Sequence, residues 1–263
     1  MAAGDSGTGR SGRVALMISD GAMGWCAAND LRPRFPDLHI LVEQPEAKAA
    51  IVKRRARLLG WHVALGQAAC GIATKVLARR SRAHIEYLCR EGGLDRTPLP
   101  AETVHAIGSV NSDDARTALA RINPDIVAVY GTRIIRRDTL RAVPAPFINY
   151  HAGINPKYRG QHPGYWALVN GDAAHAGVTV HLVDEGVDTG DVLYQAPVAF
   201  SKEDNITTYQ WRQMAVALPL LTAAIEDGLA QRLRPFRVEL PSAQYFPPTL
   251  WGYVWNGATR GVW

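Results

Sequence analysis

The chain has 263 residues, of which 47% are hydrophobic and 20% are charged, and its net charge is +5. This composition excludes a disordered chain, and the length suits one large α/β domain with a sizeable core. No apolar run is long enough to cross a bilayer, and residues 1–12 lack the hydrophobic segment of a signal peptide. We therefore expect a flexible tail over 1–12 and a cytoplasmic location. The three cysteines lack metal-ligand spacing, which argues against a zinc site or a disulfide framework.

The first predicted elements are a strand, a turn and a helix. Arg13–Ser19 is typical of a buried strand, a turn at Asp20 and Gly21 opens a helix through Leu31, and Leu38–Glu43 is a second strand. Backbone N–H groups at the start of a helix can bind a phosphate, which makes Asp20 and Gly21 candidate substrate contacts. A tight turn with no ligand accounts for the same residues equally well.

Residues 46–90 form a basic insertion that is predicted to contain one or two helices. The insertion has ten basic residues against two acidic ones. Three interpretations stay open: a solvated basic face on amphipathic helices, a site for a nucleotide diphosphate or another anionic substrate, and a nucleic-acid or membrane surface. Trp61 and Tyr87 are its only large aromatic residues, which weakens the interpretation as a single-strand nucleic-acid site.

Strands and helices alternate in the next part of the chain. Val104–Val110 is a predicted strand, Ser112 or Asp113 would cap a helix through Ile122, and Asp125–Tyr130 is the next buried strand. This alternation predicts an α/β fold with a doubly wound, mostly parallel sheet, in which ligands bind at the carboxyl ends of the strands. We assign residues 13–229 to this domain.

The stretch 146–195 carries the candidate chemistry. An apolar run delivers Asn149 and His151, which alternate with Tyr150 and therefore point to one face of a strand. A loop with proline and glycine follows, and a second apolar run, Val178–Val183, leads to an acidic turn that carries Asp188. An amide, an imidazole and a carboxylate are thus predicted to meet at one site.

This stretch resembles the catalytic core of the formyltransferases that use 10-formyltetrahydrofolate, including those acting on glycinamide ribonucleotide, methionyl-tRNA and amino sugars. The matching segments are Asn149-Tyr-His151, Pro156 to Gly160, Gly177-Val-Thr-Val-His181, Asp188-Thr-Gly190 and Gln195. The resemblance implies a Rossmann-like formyltransferase core and a 10-formyltetrahydrofolate co-substrate. It also implies that Asn149, His151 and Asp188 are catalytic.

Formyl transfer needs donors for a developing oxyanion and a group that removes protons from the amine. We expect His151 and Asn149 to hold the oxyanion, and Asp188 to raise the pKa of the imidazole or to accept the amine proton. This chemistry requires no metal.

The resemblance also implies binding residues. The expected walls of the pterin pocket are Arg133, Ile134, Ile135, Val183, Asp184 and Val187. His162 is an expected contact to substrate or formyl donor, with a loop-stabilising hydrogen bond as the alternative. His181 is expected to be structural because it lies inside a strand.

A helix is predicted to start at Asn205 or Thr207 and to run to about Leu229, and residues 230–263 are rich in proline and aromatic residues. This C-terminal strap is too short for the barrel-like domain of methionyl-tRNA formyltransferases. We expect it to pack aromatic side chains on the core. Stacking on a base or sugar, and a subunit contact, are the alternatives.

The favoured function is therefore formyl transfer from 10-formyltetrahydrofolate to the amine of a small, phosphorylated or nucleotide-linked amino sugar. The alternatives are a 10-formyltetrahydrofolate hydrolase and a formyltransferase for methionyl-tRNA or glycinamide ribonucleotide. A non-catalytic protein that binds anions or RNA is a remote alternative. The expected partners are the folate and the amine, with no membrane and no nucleic acid, and a homodimer stays open.

Overall fold

The computed structural model of the protein describes residues 12–263. The flexible tail predicted over 1–12 thus lies, except for Gly12, outside the described residues. The described chain contains a seven-stranded sheet in the order β3-β2-β1-β4-β5-β7-β8 and a two-stranded sheet of β6 and β9. The strands are β1 Val14–Ser19, β2 Leu38–Glu43, β3 His105–Ile107, β4 Ile126–Tyr130, β5 Phe147–His151, β6 Arg159–Gly160, β7 Gly177–Leu182, β8 Val192–Pro197 and β9 Gln244–Tyr245.

The main sheet is mostly parallel, as predicted from the alternation of elements. The five strands from β3 to β5 pair in parallel, whereas β7 pairs antiparallel with β5 and β8. The α-helices are α1 Ala22–Leu31, α2 Lys48–Leu59, α3 Trp61–Arg80, α4 Arg82–Glu91, α5 Asp113–Ile122, α6 Arg137–Leu140, α7 Pro163–Val169, α8 Tyr209–Leu229 and α9 Leu250–Arg260. Across residues 12–263, none of these helices is long and apolar enough to cross a membrane.

The core lies on both faces of the sheet. Val14, Leu16 and Ile18 of β1 pack in the cluster under α1 and α8, while Ala15 and Met17 pack in the cluster under α5. A strand that is buried on both faces needs an uninterrupted apolar sequence, which is why β1 shows no alternation.

The basic insertion contains three helices, and the prediction of one or two helices was wrong. Gly60, with φ of 88° and ψ of 154°, separates α2 from α3, and Ser81 separates α3 from α4. Neither break contains a proline. A glycine or serine inside a helical pattern marks a break only weakly, so the sequence did not show them.

Two further predicted boundaries were wrong. The strand predicted over Val104–Val110 spans only His105–Ile107, because it is an edge strand and the N–H of Val110 donates to the Glu43 carboxylate and not to a neighbouring strand. Helix α8 begins at Tyr209, later than predicted, because the Asn205 side chain accepts from the N–H of Thr207 and forms a turn.

The C-terminal strap is more regular than predicted. Its strand β9 pairs with β6, and its helix α9 is capped by the Thr249 side chain, which accepts from the N–H of Gly252. Phe246 accepts a hydrogen bond from the Trp166 indole through its carbonyl, and Gln67 of α3 donates to the Pro247 carbonyl. The strap therefore joins the loop after β5 to the insertion.

A buried ion pair fixes the carboxyl ends of β2 and β4. Glu43 is buried, and it accepts from the Arg133 guanidinium at 2.8 Å and from the backbone N–H groups of Val110 and Arg133. The Arg133 guanidinium also donates to the carbonyls of Gln44 and Gly108. These bonds hold three loops in one arrangement at this edge of the sheet.

We predict that Glu43→Ala lowers the free energy of unfolding by about 3 kcal/mol, because it leaves the Arg133 guanidinium and two N–H groups without their acceptor. Arg82→Ala, which removes an ion pair from the surface of α4, is the control and should cost much less, because solvent screens an exposed pair. Urea denaturation of both variants measures the difference. Equal losses would show that the Glu43 network contributes no more than a surface pair.

A second prediction concerns Gly160, whose φ is +93° and whose added Cβ would collide with the Tyr245 carbonyl. Gly160→Ala should lower the unfolding free energy by at least about 3 kcal/mol, through backbone strain and steric conflict. It should also make the strap more sensitive to protease. Gly171→Ala is the matched control, because Gly171 also has positive φ but faces open space, so only about 1 kcal/mol of backbone strain is expected. If both variants lose the same unfolding free energy, the steric conflict at the β6–β9 contact contributes nothing.

Candidate active site

Strand β5 brings Asn149 and His151 to one side of the sheet. Tyr150 between them points to the other side, where its ring stacks on Tyr130 with centroids 5.0 Å apart. In the antiparallel pairing of β5 with β7, Asn149 lies opposite His181 and His151 lies opposite Thr179. The pairing therefore places a second histidine beside the predicted amide and imidazole.

The loop after β5 is held by residues from three other elements, β7, β8 and α8. The Thr179 hydroxyl donates to the Gly153 carbonyl at 2.6 Å and accepts from the N–H of Asn155. Gln195 of β8 donates to the Asn155 carbonyl at 2.8 Å, and Gln213 of α8 donates to the Ala152 carbonyl. Thr179 and Gln195 thus fix the backbone conformation of the loop through hydrogen bonds at Gly153 and Asn155.

Asp188 lies in the loop between β7 and β8, which folds back over β5. Its Oδ2 accepts from the N–H of Gly160 at 3.0 Å and lies 3.4 Å from His151 Nδ1, and its Oδ1 lies 3.6 Å from His181 Nε2. Burial alone would raise the pKa of Asp188, but the charge of His151 and the surrounding donors outweigh this effect and hold the pKa well below its usual range. The carboxylate is therefore ionised at neutral pH.

Both ring nitrogens of His151 face acceptors. Nε2 donates to the Tyr158 carbonyl at 2.8 Å, and Nδ1 faces the Asp188 carboxylate. Asp188 favours the charged imidazole, as predicted, but burial has the larger effect and the pKa of His151 is lowered. A proton that arrives on Nδ1 has a carboxylate beside it, so the pair is suited to accept a proton.

His181 was predicted to be structural, but its side chain lies in the site. Its Nδ1 donates to the Leu182 carbonyl at 2.7 Å, which leaves Nε2 as the acceptor for the Asn149 amide at 3.1 Å. This bond orients the Asn149 side chain with its amide nitrogen towards His181. The sequence places His181 in a strand, but only the register with β5 shows that it faces Asn149.

A cavity of about 550 Å³ lies in front of these residues, and we call it the donor-side cavity. All nine residues predicted as catalytic or pterin-binding line it. They are Asn149, His151, Asp188, Arg133, Ile134, Ile135, Val183, Asp184 and Val187.

Two of the predicted pterin-side residues use their side chains to shape the wall. The Arg133 guanidinium is held by Glu43 and backbone carbonyls, and the Asp184 carboxylate accepts from the N–H of Gly186 and from the Thr189 hydroxyl. Both residues therefore order the loops that form the cavity.

A second cavity of about 400 Å³ adjoins the first, and we call it the acceptor-side cavity. The two cavities share a boundary that includes His151, Gly160 and Arg55. The acceptor-side cavity is lined further by polar side chains of the insertion, of α8 and of the loop before α7. These are Gln67, Thr74, His162, Gln210 and Gln213.

His162 lines only the acceptor-side cavity. It precedes α7 in the left-handed conformation, with φ of 54°. Its ring is exposed to the cavity, yet the enclosing protein and then the charge of Arg55 lower the pKa of His162 to about 4. His162 is therefore a neutral group at the edge of the site.

Arg55 lies at the junction of the two cavities. It is half-buried and donates to the Gln161 side chain at 2.9 Å. Within the described part of the chain no carboxylate forms an ion pair with Arg55, whereas the neighbouring Arg54 pairs with Glu46. The fold of α2 decides which of the ten basic residues reach the cavities: Arg54 lines the donor-side cavity, and Arg55 lines both.

Asp20 and Gly21 lie between β1 and α1 and line neither cavity. The strap residues Gln244, Tyr245 and Phe246 line the donor-side cavity, and Pro247 and Pro248 line the acceptor-side cavity. The strap therefore contributes to both walls. Over residues 12–263 there is no group of His, Cys, Asp or Glu side chains that could hold a metal ion.

Comparisons with known proteins give a family. The formyl transferase family model matches residues 61–225, which is more than half of the chain. A methionyl-tRNA formyltransferase from Pelotomaculum thermopropionicum is 34% identical over 172 residues, which cover 60% of this chain and 53% of that protein. The chain thus spans about half the length of this relative.

Solved structures share the fold. An N-formyltransferase from Helicobacter canadensis, in complex with folinic acid and dTDP-3-aminofucose, has a TM-score of 0.56 at 12% identity, covering 88% of this chain and 70% of that one. Glycinamide ribonucleotide transformylase 1 from Symbiobacterium toebii has a TM-score of 0.52 at 22% identity, covering 89% and 92%. Together with the match of the family model, these findings show that the chain belongs to the formyl transferase family.

Proposed function

We propose that the protein transfers a formyl group from 10-formyltetrahydrofolate to the amine of a small, phosphorylated or nucleotide-linked amino sugar. The observation that carries the proposal is that Asn149, His151 and Asp188 line the donor-side cavity together, and that His151 also lines the adjoining acceptor-side cavity. A transfer reaction between two substrates needs this arrangement, because the reacting atoms must approach each other at the catalytic residues.

The donor-side cavity suits the folate. Its volume of about 550 Å³ lies in the range of small-ligand sites, and the loops after β4 and β7 form its walls. The Helicobacter canadensis enzyme, which shares the fold, was solved with folinic acid, a related folate. Here the folate would present its formyl carbon to Asn149 and His151.

The chain's own groups supply the catalysis. Asn149 uses one amide hydrogen for His181, and its second amide hydrogen is left to donate to the oxyanion that forms when the amine attacks. The His151–Asp188 pair takes the proton from the amine, with Asp188 stabilising the charged imidazole. This assignment moves the main oxyanion donor from His151 to Asn149, since His151 Nε2 already donates to the Tyr158 carbonyl.

The acceptor-side cavity suits an amine that carries a phosphate. Among residues 12–263, Arg55 is the only Lys or Arg that lines it, and no Asp or Glu does. Neutral amides and hydroxyls, which form hydrogen bonds to sugar hydroxyls, line it together with His151 and His162. The dTDP-3-aminofucose in the Helicobacter canadensis enzyme is an amine of this class.

Methionyl-tRNA is the second candidate acceptor, because the relative from Pelotomaculum thermopropionicum is a methionyl-tRNA formyltransferase. Parallel assays with methionyl-tRNA and with nucleotide-linked amino sugars separate the two. Folate hydrolysis without an added amine tests the hydrolase alternative in the same experiment, and no formyl-transfer or hydrolase activity at all would leave the anion- or RNA-binding alternative.

We predict that Asp188→Asn and His151→Asn each lower kcat for formyl transfer by at least about a hundredfold, because each removes the proton acceptor. Asp191→Asn and His39→Asn are the matched controls, since Asp191 pairs with Arg237, His39 contacts Asp37, and neither residue lines a cavity. The controls should keep activity within about twofold, as surface changes usually do. Near-normal turnover of Asp188→Asn or His151→Asn, with an unchanged circular dichroism spectrum, would exclude that residue from the mechanism.

We predict that Arg55→Met lowers kcat/KM for a nucleotide-linked amino sugar by about tenfold or more and leaves the free amino sugar unaffected, because the lost contact is to the phosphate. Arg57→Met, an exposed neighbour on α2, is the control. Steady-state kinetics with both acceptors gives the comparison. If kcat/KM falls equally with both acceptors, Arg55 acts in folate binding or in folding and does not contact the phosphate.

A further inference from the structure

Helices α3 and α9 present apolar residues to solvent. On α3 these are Trp61, Leu65, Ile72 and Val76, whose spacing places them on one side of the helix. Trp61 is 62% exposed and Ile72 is 68% exposed, so this side does not pack on the rest of the described chain. The opposite side, with Ala64, Gln67 and Cys70, is buried. Helix α3 is therefore apolar on both sides.

Helix α9 repeats the pattern. Trp251, Val254, Trp255 and Ala258 stand at positions i, i+3, i+4 and i+7 and are all exposed, whereas Tyr253 is buried on the other side. A surface helix of a globular protein normally turns its apolar stripe to the core and its polar residues to water. Here Trp255 is 67% exposed.

The two stripes form one surface. The Trp251 indole lies directly over Gly66 of α3, where an added Cβ would collide with it. The buried sides of both helices share one cluster, which contains Cys70 and Tyr253. We define the α3–α9 face as Trp61, Leu65, Ile72, Val76, Trp251, Val254 and Trp255. An exposed apolar surface with three indoles marks an interaction site.

The charged residues of α2, α3 and α9 are all basic, whereas Glu86 of the adjoining helix α4 lines a pocket together with Arg79. Helix α2 has five basic residues, α3 has three, α9 has one, and the three helices contain no Asp or Glu. Lys75 and Arg79 are exposed and continue the apolar stripe of α3. Within the described part of the chain, only Arg54 among the basic residues of α2 and α3 forms an ion pair.

We propose that the α3–α9 face docks on the surface of an anionic lipid bilayer. Indoles with aliphatic side chains favour the boundary between headgroups and acyl chains, and lysine and arginine beside them bind anionic headgroups. A symmetric contact between two copies through this face would instead place the same unpaired cations close together, which disfavours self-association. The proposal departs from the sequence prediction of no membrane partner, and it concerns docking on a bilayer, not crossing it.

Sedimentation of the full chain with lipid vesicles tests this proposal. Vesicles that contain phosphatidylglycerol should bind the protein at low salt, and neutral phosphatidylcholine vesicles should bind it at least about tenfold more weakly, because several cations lose their headgroup partners. Higher salt should weaken the first interaction. Absence of binding to phosphatidylglycerol vesicles would overturn the proposal.

Variants locate the contact. The double variant Trp61→Ser/Trp255→Ser should bind phosphatidylglycerol vesicles at least about tenfold more weakly, since it removes two apolar anchors from the face. Phe236→Ser is the matched control, because Phe236 is 46% exposed but belongs to neither helix. Equal binding of the double variant and the control would overturn the assignment to this face.

Sedimentation velocity with no vesicles and a titration with tRNA complete the test. A dimer that the double variant abolishes would assign the face to self-association, and tRNA binding lost in the same variant would assign it to nucleic acid. Either result would overturn the proposal. Circular dichroism should show that the variants are folded, because the substituted side chains are exposed.

Discussion

The carboxylate of Asp188, whose side chain is 16% exposed, is the constraint on which the rest of the site depends. It lies within 3.6 Å of two histidines and accepts the N–H of Gly160. Gly160 is part of β6, which pairs with β9 of the strap. One ionised group therefore joins the loop after β7, the loop after β5 and the C-terminal strap. A buried carboxylate is stable only with such partners, so the three segments are fixed together.

The two cavities differ in the elements that form their walls and in the charged residues that line them. The walls of the donor-side cavity come mainly from loops at the carboxyl ends of β4 and β7, where α/β sheets generally bind ligands. The strap completes both cavities, and the acceptor-side cavity also needs α3 and α8. The donor-side cavity thus depends mainly on the sheet and the strap, whereas the acceptor-side cavity depends in addition on how two helices pack.

Local sequence signals were sufficient where a segment's structure is set by its own residues. Strand β2 was predicted with its observed bounds, and the mostly parallel sheet followed from the alternation of elements. The sequence carried no such signal where a residue's position depends on how distant segments of the chain pair or pack. The role of His181 depends on its register with Asn149, and the position of Arg55 depends on how α2 packs. The breaks at Gly60 and Ser81 lacked a strong local marker. The helix at the end of the strap did have local signals, since Thr249 caps it and Gly261 ends it, but the prediction did not use them.

The contact between Gln67 and the carbonyl of Pro247 has a consequence for how the protein is made. These residues are 180 positions apart, and the Trp251 indole reaches Gly66 over a similar separation. During translation the sheet strands emerge well before residues 244–251, so both cavities lack a wall until the strap leaves the ribosome. Ligand sites built from such distant segments form late, because loop closure must come first. The nascent sheet therefore exists for a time without a complete active site, and binding competence is acquired in the last stage of folding.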